Sequence, residues 1–187
     1  MTNGGTTPTA YAALLRGVNV SGHRKVPMAE LRALLSGIGL AEVRTHLQTG
    51  NAVFTSPARP EEELETLVGE AIEERFGFAV DVLVRDHAYL AAVAGACPFP
   101  AGELAGRQLH VTYFSAPVEA AAYASLRPEA FLPEEFSLGD RALYLYAPDG
   151  LGRSKLAEAL ARLPSRGVVA TSRNWNTVAK LVELTRP

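Results

Sequence analysis

Three short polar stretches hold the residues best suited to chemistry in this chain. The first is Arg16-Gly17-Val18-Asn19-Val20-Ser21-Gly22-His23-Arg24-Lys25-Val26, with three cations, one histidine and no acid. It leads into a helical pattern, where unpaired backbone N–H groups and the helix dipole favour an anion. The second, Asp149-Gly150-Leu151-Gly152-Arg153-Ser154-Lys155, is glycine-rich and also precedes a helical pattern. It is not a Walker A loop, because the GxxxxGK[ST] spacing is absent and Lys155 follows Ser154. Its glycines still allow backbone N–H groups to approach an anion. The third, Thr171-Ser172-Arg173-Asn174-Trp175-Asn176, surrounds the single tryptophan with hydrogen-bonding side chains. A helix starting near Arg173 would put Arg173, Thr177 and Lys180 on one face, with Ser172 or Asn174 as its cap.

The chemistry these residues share is recognition of negative charge. Arg16, Lys25, Lys155 and Arg173 supply charge-assisted donors. Asn19, Gln48, Asn51, Ser154 and Asn174 supply orienting hydrogen bonds, and Trp175 supplies a packing surface. No reaction follows from them. His23, His46, His87 and His110 stand apart with no metal-ligand spacing, and no nucleophile elbow GxSxG is present. Asp149 is the one carboxylate at the edge of the polar loops, so no catalytic base is nominated. Cys97 lies in Ala96-Cys97-Pro98-Phe99 with no neighbouring charge, which suits a small buried thiol rather than a nucleophile. Nothing indicates a cofactor or a metal.

The elements that must position these residues follow from hydrophobic periodicity. Tyr11 to Leu15 reads as a strand buried on both faces. Met28, Leu31, Leu34, Leu35 and Ile38 share one face of a helix opened by Pro27. Val43 to Gln48 and Asn51 to Thr55 form a hairpin across Thr49-Gly50. A second helix starts at Pro60 with an acidic first turn, its acids reading as a solvated face, and Phe78 to Val84 alternates as a fourth strand. The order is β-α-β-β-α-β, the ferredoxin-like arrangement. The second half repeats it: strand Leu109 to Phe114, an alanine-rich helix Val118 to Leu126, and a hairpin across Gly139-Asp140. A helix marked by Leu156, Leu160 and Leu163, a short strand Val168 to Ala170 and a closing helix complete it.

The expected fold class is therefore α+β, two tandem ferredoxin-like (βαββαβ) subdomains packed together. Residues 1–8 are a disordered leader, 9–85 the first subdomain, 86–106 a linking helix and loop, and 107–187 the second subdomain. The wholly apolar first strand implies a second cover for its sheet, which places the expected ligand cleft between the subdomains.

Composition narrows the partners. The chain has 187 residues, 48% of them hydrophobic and 20% charged, and a formal net charge of −2. Such a molecule attracts no polyanion as a whole. No apolar run approaches the ~20 residues that span a bilayer, and the start lacks a basic, apolar secretion signal. A cytoplasmic protein with no membrane partner is expected.

Several stretches in combination resemble one uncharacterised bacterial family, domain of unknown function 1697. They are Leu14-Leu15-Arg16-Gly17-Val18-Asn19-Val20 with Lys25-Val26-Pro27-Met28, then Leu47-Gln48-Thr49-Gly50-Asn51, then Gly152-Arg153-Ser154-Lys155 with Thr171 to Thr177. The resemblance implies two ferredoxin-like subdomains and no known activity. From the residues themselves, the leading expectation is a cleft for a small anionic or phosphorylated metabolite or a nucleotide. One alternative is single-stranded nucleic acid stacking on His110, Phe114, Tyr144 and Tyr146 of the second sheet, against which the RNP1 pattern is missing. The other is a structural or interaction module with no ligand.

Overall fold

The computed structural model describes residues 8–163 and 167–187. Except for Pro8, the leader expected over residues 1–8 lies outside the described residues. The fold is α+β, with two four-stranded antiparallel sheets. The chain divides into two compact units, Met1–Leu90 with Leu181–Pro187, and Ala91–Lys180.

The first unit runs β1 (Thr9–Leu15), α1 (Met28–Gly37), β2 (Ala41–His46), β3 (Asn51–Ser56), α2 (Glu61–Phe76) and β4 (Val82–Asp86). Its strand order is β2-β3-β1-β4, so the apolar β1 is central. Tyr11, Ala13 and Leu15 of β1 join a core with Phe54, Val84, Leu31 and Leu35 of α1, and Leu64, Val68 and Ile72 of α2. The alternate residues Ala12 and Leu14 are fully buried as well, as a strand without polar alternation requires. Pro27 gives α1 no side-chain cap. A missing cap costs about 1 kcal/mol, less than the roughly 1.5–3 kcal/mol gained by burying Leu31 or Leu35 alone. Packing, not capping, holds this helix. After β4, α3 (His87–Gly95) begins where the Asp86 carboxylate accepts the Tyr89 N–H at 2.8 Å.

The turn between β2 and β3 depends on Gly50. Its φ is +80°, and a Cβ there would lie 2.6 Å from Val18 Cγ2 and 2.8 Å from Leu15 Cβ. The Leu15 N–H donates to the Gly50 carbonyl at 2.8 Å. Only glycine permits both the left-handed backbone and the close approach. The hairpin turn is thereby seated against the end of β1, where the first polar loop departs.

The second unit contains β5 (Leu109–Phe114), β6 (Glu135–Gly139), β7 (Ala142–Tyr146), α4 (Lys155–Ala161) and β8 (Ala170–Asn174), in strand order β6-β7-β5-β8. Phe114, Leu143, Leu145 and Leu156 form the buried centre of one face, with Phe136, Leu138 and Leu160 packed against it. α5 (Trp175–Leu184) follows β8 directly.

Two sequence expectations need correction here. The alanine-rich helix over Val118 to Leu126 is only a 3₁₀ turn, Ala120–Tyr123, with i→i+3 bonds from Ala122 N–H to Glu119 and from Leu126 N–H to Tyr123, each 3.0 Å. A stretch this short is marginal as a helix without a long buried face, and Pro117 and Pro128 confine it. The second concerns Thr171 to Asn174, expected to open a helix. These residues are strand, because β5 needs a partner on its outer side: Val111 pairs with Arg173 and His110 with Asn174. Tertiary pairing has overridden the local helix signal as far as Asn174, which still caps the helix that follows it.

Candidate functional site

Unit one gathers Arg16, Asn19, Lys25, Gln48 and Asn51 at one end of its sheet, where β1 ends and β3 and β4 begin. Asn19 is the keystone. Its Oδ1 accepts the Val26 N–H at 2.8 Å, and its Nδ2 donates to the Val26 carbonyl at 3.0 Å and the Gln48 carbonyl at 2.7 Å. The Asn19 N–H adds a bond to the Arg24 carbonyl at 3.1 Å. One amide thus closes the loop on itself and anchors it to the hairpin turn. Asn51 is fully buried, and its Nδ2 donates to the His46 carbonyl and to Thr49 Oγ1, both at 3.0 Å. These two asparagines hold backbone; Gln48 offers its carbonyl to Asn19 and keeps an exposed side chain.

The loop backbone is unusual. Gly17, Asn19, Ser21, Gly22 and Arg24 all have positive φ, between +48° and +79°. Three of these are not glycine, and such conformations persist only where the surroundings enforce them. The enforcement here is the Asn19 hydrogen-bond set. His23, Arg24 and Lys25 are exposed on the resulting surface. Among the described residues, the N–H groups of Ser21, Gly22 and Lys25 donate to no protein acceptor. Arg16, also exposed, pairs with Asp81 at 3.1 Å. With both partners about half exposed, that pair is worth little to stability. Sequence reading had not included His23 and Arg24 among the site residues, although both stand in the same loop.

Unit two treats its glycine-rich loop differently. Ser154 caps α4, its Oγ accepting the Ala157 N–H at 2.8 Å. The same Oγ donates to Glu134 at 2.6 Å, and the Glu134 carboxylate accepts the Leu156 N–H at 2.9 Å and the Lys155 N–H at 3.2 Å. The helix N-terminus therefore already has its anion. Desolvation acts to raise the Glu134 carboxyl, but the bonds from Ser154, Leu156 and Lys155, with the Lys155 charge, outweigh it and hold the group below the usual carboxylate range. Glu134 was missed in the sequence because it lies twenty residues before the cap it completes.

The third stretch divides. Arg173 is 7% exposed on β8, donating to Thr171 Oγ1 at 2.7 Å and the Ser172 carbonyl at 2.8 Å. Burial pulls its guanidinium down to about 10, with Tyr113 opposing the shift. It is not on a helix face with Thr177 and Lys180, and Thr177 is itself buried. Asn174 caps α5 by accepting the Thr177 N–H at 3.0 Å. Trp175, the first residue of α5, is half-buried. The aromatic platform expected on the second sheet also fails geometrically. Register puts His110 and Phe114 on one face and Tyr144, paired with Val111, on the other. Phe114 and Tyr144 are buried, so bases have no surface there to stack on.

Two of the α2 acids expected on a solvated face, Glu61 and Glu65, prove to be structural, while Glu62, Glu63, Glu70, Glu73 and Glu74 are exposed as expected. Glu65 accepts the Val84 N–H at 2.9 Å and Glu61 the Asp86 N–H at 3.4 Å. Both also bind the buried Arg85, at 3.0 and 3.1 Å. Helical i,i+4 spacing matches the i,i+2 spacing of outward N–H groups on β4 and seals that sheet edge. Desolvation raises the Glu65 carboxyl against the opposing pull of Val84 and Arg85.

Among the described residues, no three His, Cys, Asp or Glu side chains group to hold a metal, and no helix is long and apolar enough to cross a membrane. Comparison with known proteins places the chain. The family model described as Protein of unknown function (DUF1697) matches residues 9–144. The chain belongs to this family. DUF1697 carries no assigned activity in that description, and no curated protein matches the chain. A solved structure, that of conserved bacterial protein SP0830 from Streptococcus pneumoniae, is similar with a TM-score of 0.78 and 23% identity, covering 96% of this chain and 99% of that one. The likeness is one of fold.

Proposed function

We propose that this DUF1697 protein is a cytoplasmic binding protein for a small anionic, phosphate- or carboxylate-bearing ligand, held by the loop Arg16–Val26. One observation carries the reading: an acid-free loop, locked in left-handed backbone by Asn19, that turns the N–H groups of Ser21, Gly22 and Lys25 and the side chains of His23, Arg24 and Lys25 to solvent. Backbone that alternates in hand makes concave N–H arrays suited to oxyanions. Preorganisation reduces the entropy lost on binding. Arg24 and Lys25 contribute charge-assisted donors, Arg16 adds positive potential beside them, and Asn19, Gln48 and Asn51 act through the loop's shape. Ser154, Lys155, Arg173, Asn174 and Trp175 are left out of this site, since Glu134 already occupies the α4 terminus and Arg173 is buried in a strand.

Each unit is read as ferredoxin-like in topology. The order β2-β3-β1-β4 and its counterpart β6-β7-β5-β8 support this.

The test is calorimetric titration with inorganic pyrophosphate at low salt. Each charge-assisted hydrogen bond is worth about 1.5–3 kcal/mol, so Arg24→Ala with Lys25→Ala should weaken binding at least ~tenfold. Saturable binding that survives the double substitution unchanged removes the loop from consideration.

A further inference from the structure

Beside the cationic tip lie two side chains whose exposure the anion site does not explain. Val20 is 59% and Leu47 54% exposed, while the other large apolar residues of this unit's sheet and helices are half-buried or buried. They flank the bond that joins their neighbours, Asn19 Nδ2 to the Gln48 carbonyl at 2.7 Å. Leu47 also sits in left-handed backbone, at φ +60°, a conformation costly for a residue with a Cβ. Asparagine or glycine would serve such a turn better. Through that bond the strained, water-exposed Leu47 and the exposed Val20 belong to the same loop-and-turn region as the exposed His23, Arg24 and Lys25, which therefore offers both apolar and cationic surface.

We infer that the ligand is an anion joined to an apolar group, of the chemical class of alkyl or aryl phosphate monoesters, free in solution. The phosphate meets the Ser21–Lys25 segment and the hydrocarbon covers Val20 and Leu47. This rests on the anion-binding reading above and specifies the substrate class of that same site. A bare phosphate leaves both apolar side chains in water. A monoester with a hydrocarbon tail removes them from it, and one fully buried methylene is worth about a fourfold change in affinity.

The experiment compares methyl phosphate with hexyl phosphate by calorimetry, on the natural chain and on Val20→Ser with Leu47→Asn. Asparagine tolerates the left-handed position, so the fold is kept. The natural chain should bind hexyl phosphate about tenfold more tightly, which needs fewer than two buried methylenes. In the double variant the two ligands should bind alike. Equal affinities in the natural chain, or a hexyl preference that persists in the variant, overturn the inference while leaving anion binding intact. Binding to vesicles containing phosphatidic acid but to neither soluble monoester assigns the surface to a lipid headgroup and also overturns it. If neither monoester nor vesicle binds, the anion reading itself falls.

Discussion

Asn19 Nδ2 lies 2.7 Å from the Gln48 carbonyl oxygen, and this bond ties the loop after β1 to the turn between β2 and β3. With the reciprocal bonds to Val26, it lets one exposed-edge side chain fix eleven residues of cationic loop. Asn19→Ala deprives two carbonyls of a donor and one N–H of its acceptor. At a net 0.5–1.5 kcal/mol per bond, partly restored by water, the expected loss is about 1–2 kcal/mol. Denaturant unfolding measures it, and amide exchange at Val26 should quicken. Unchanged protection at Val26 would show that the loop is held by something else.

Glu134 and Ser154 act as one cap. Either substitution to alanine should cost about 1 kcal/mol, and the double variant less than the sum by at least ~0.5 kcal/mol. The pH dependence has a definite sign. Glu134 titrates below its unfolded value, so its contribution is complete above the ordinary ~4.3 of a glutamate and is lost as pH falls through the folded value. A double-mutant cycle at pH 7 and again near pH 3 checks this. The coupling should be present in the first and smaller in the second.

Much of the fold could be read from the chain, and the reasons are local. Tyr11 to Leu15 is an unbroken apolar run, the α1 stripe and Leu109 to Phe114 carry periodicity, and the structure places elements there. The loop Arg16–Val26 was visible as a polar, acid-free insertion. What it does to Asn19 was not, because the amide's partners Val26 and Gln48 are set by tertiary geometry. The same limit hid Glu134 and made Arg173 look helical. Composition around Trp175 suggested a cap, which Asn174 supplies, but the strand pairing of β8 with β5 just before it is a long-range fact.

The sealed edge of β4 gives a further expectation. Glu65→Ala uncovers the Val84 N–H and removes one of two carboxylates from the buried Arg85. Breaking a buried pair from one side costs about 3 kcal/mol. Thermal unfolding should show a loss of that order, with faster exchange at Val84. A change under ~0.5 kcal/mol would mean that Glu61 alone suffices.

His110 provides a pH test in the second unit. Among the described residues its Nδ1 has no hydrogen-bond partner, and desolvation lowers its pKa. The unfolded chain then takes up the proton first as pH falls, so stability is complete above ~6.5 and declines as pH drops through that value. His110→Leu should leave stability within about 1 kcal/mol at pH 8, since an unpaired buried polar atom is exchanged for an apolar one of similar size. Its unfolding midpoint should vary less between pH 7 and 5 than that of the natural chain. Equal slopes would clear His110 of any part in the pH dependence.

The most direct measurement is a two-dimensional amide NMR titration of the whole chain with pyrophosphate at low ionic strength. Saturable shifts should centre on Ser21 to Val26, weaken with added salt, and disappear when Arg24 and Lys25 are both alanine. Shifts that centre instead on Gly152 to Leu156, or none anywhere at millimolar anion, would contradict the assignment of the site to this loop.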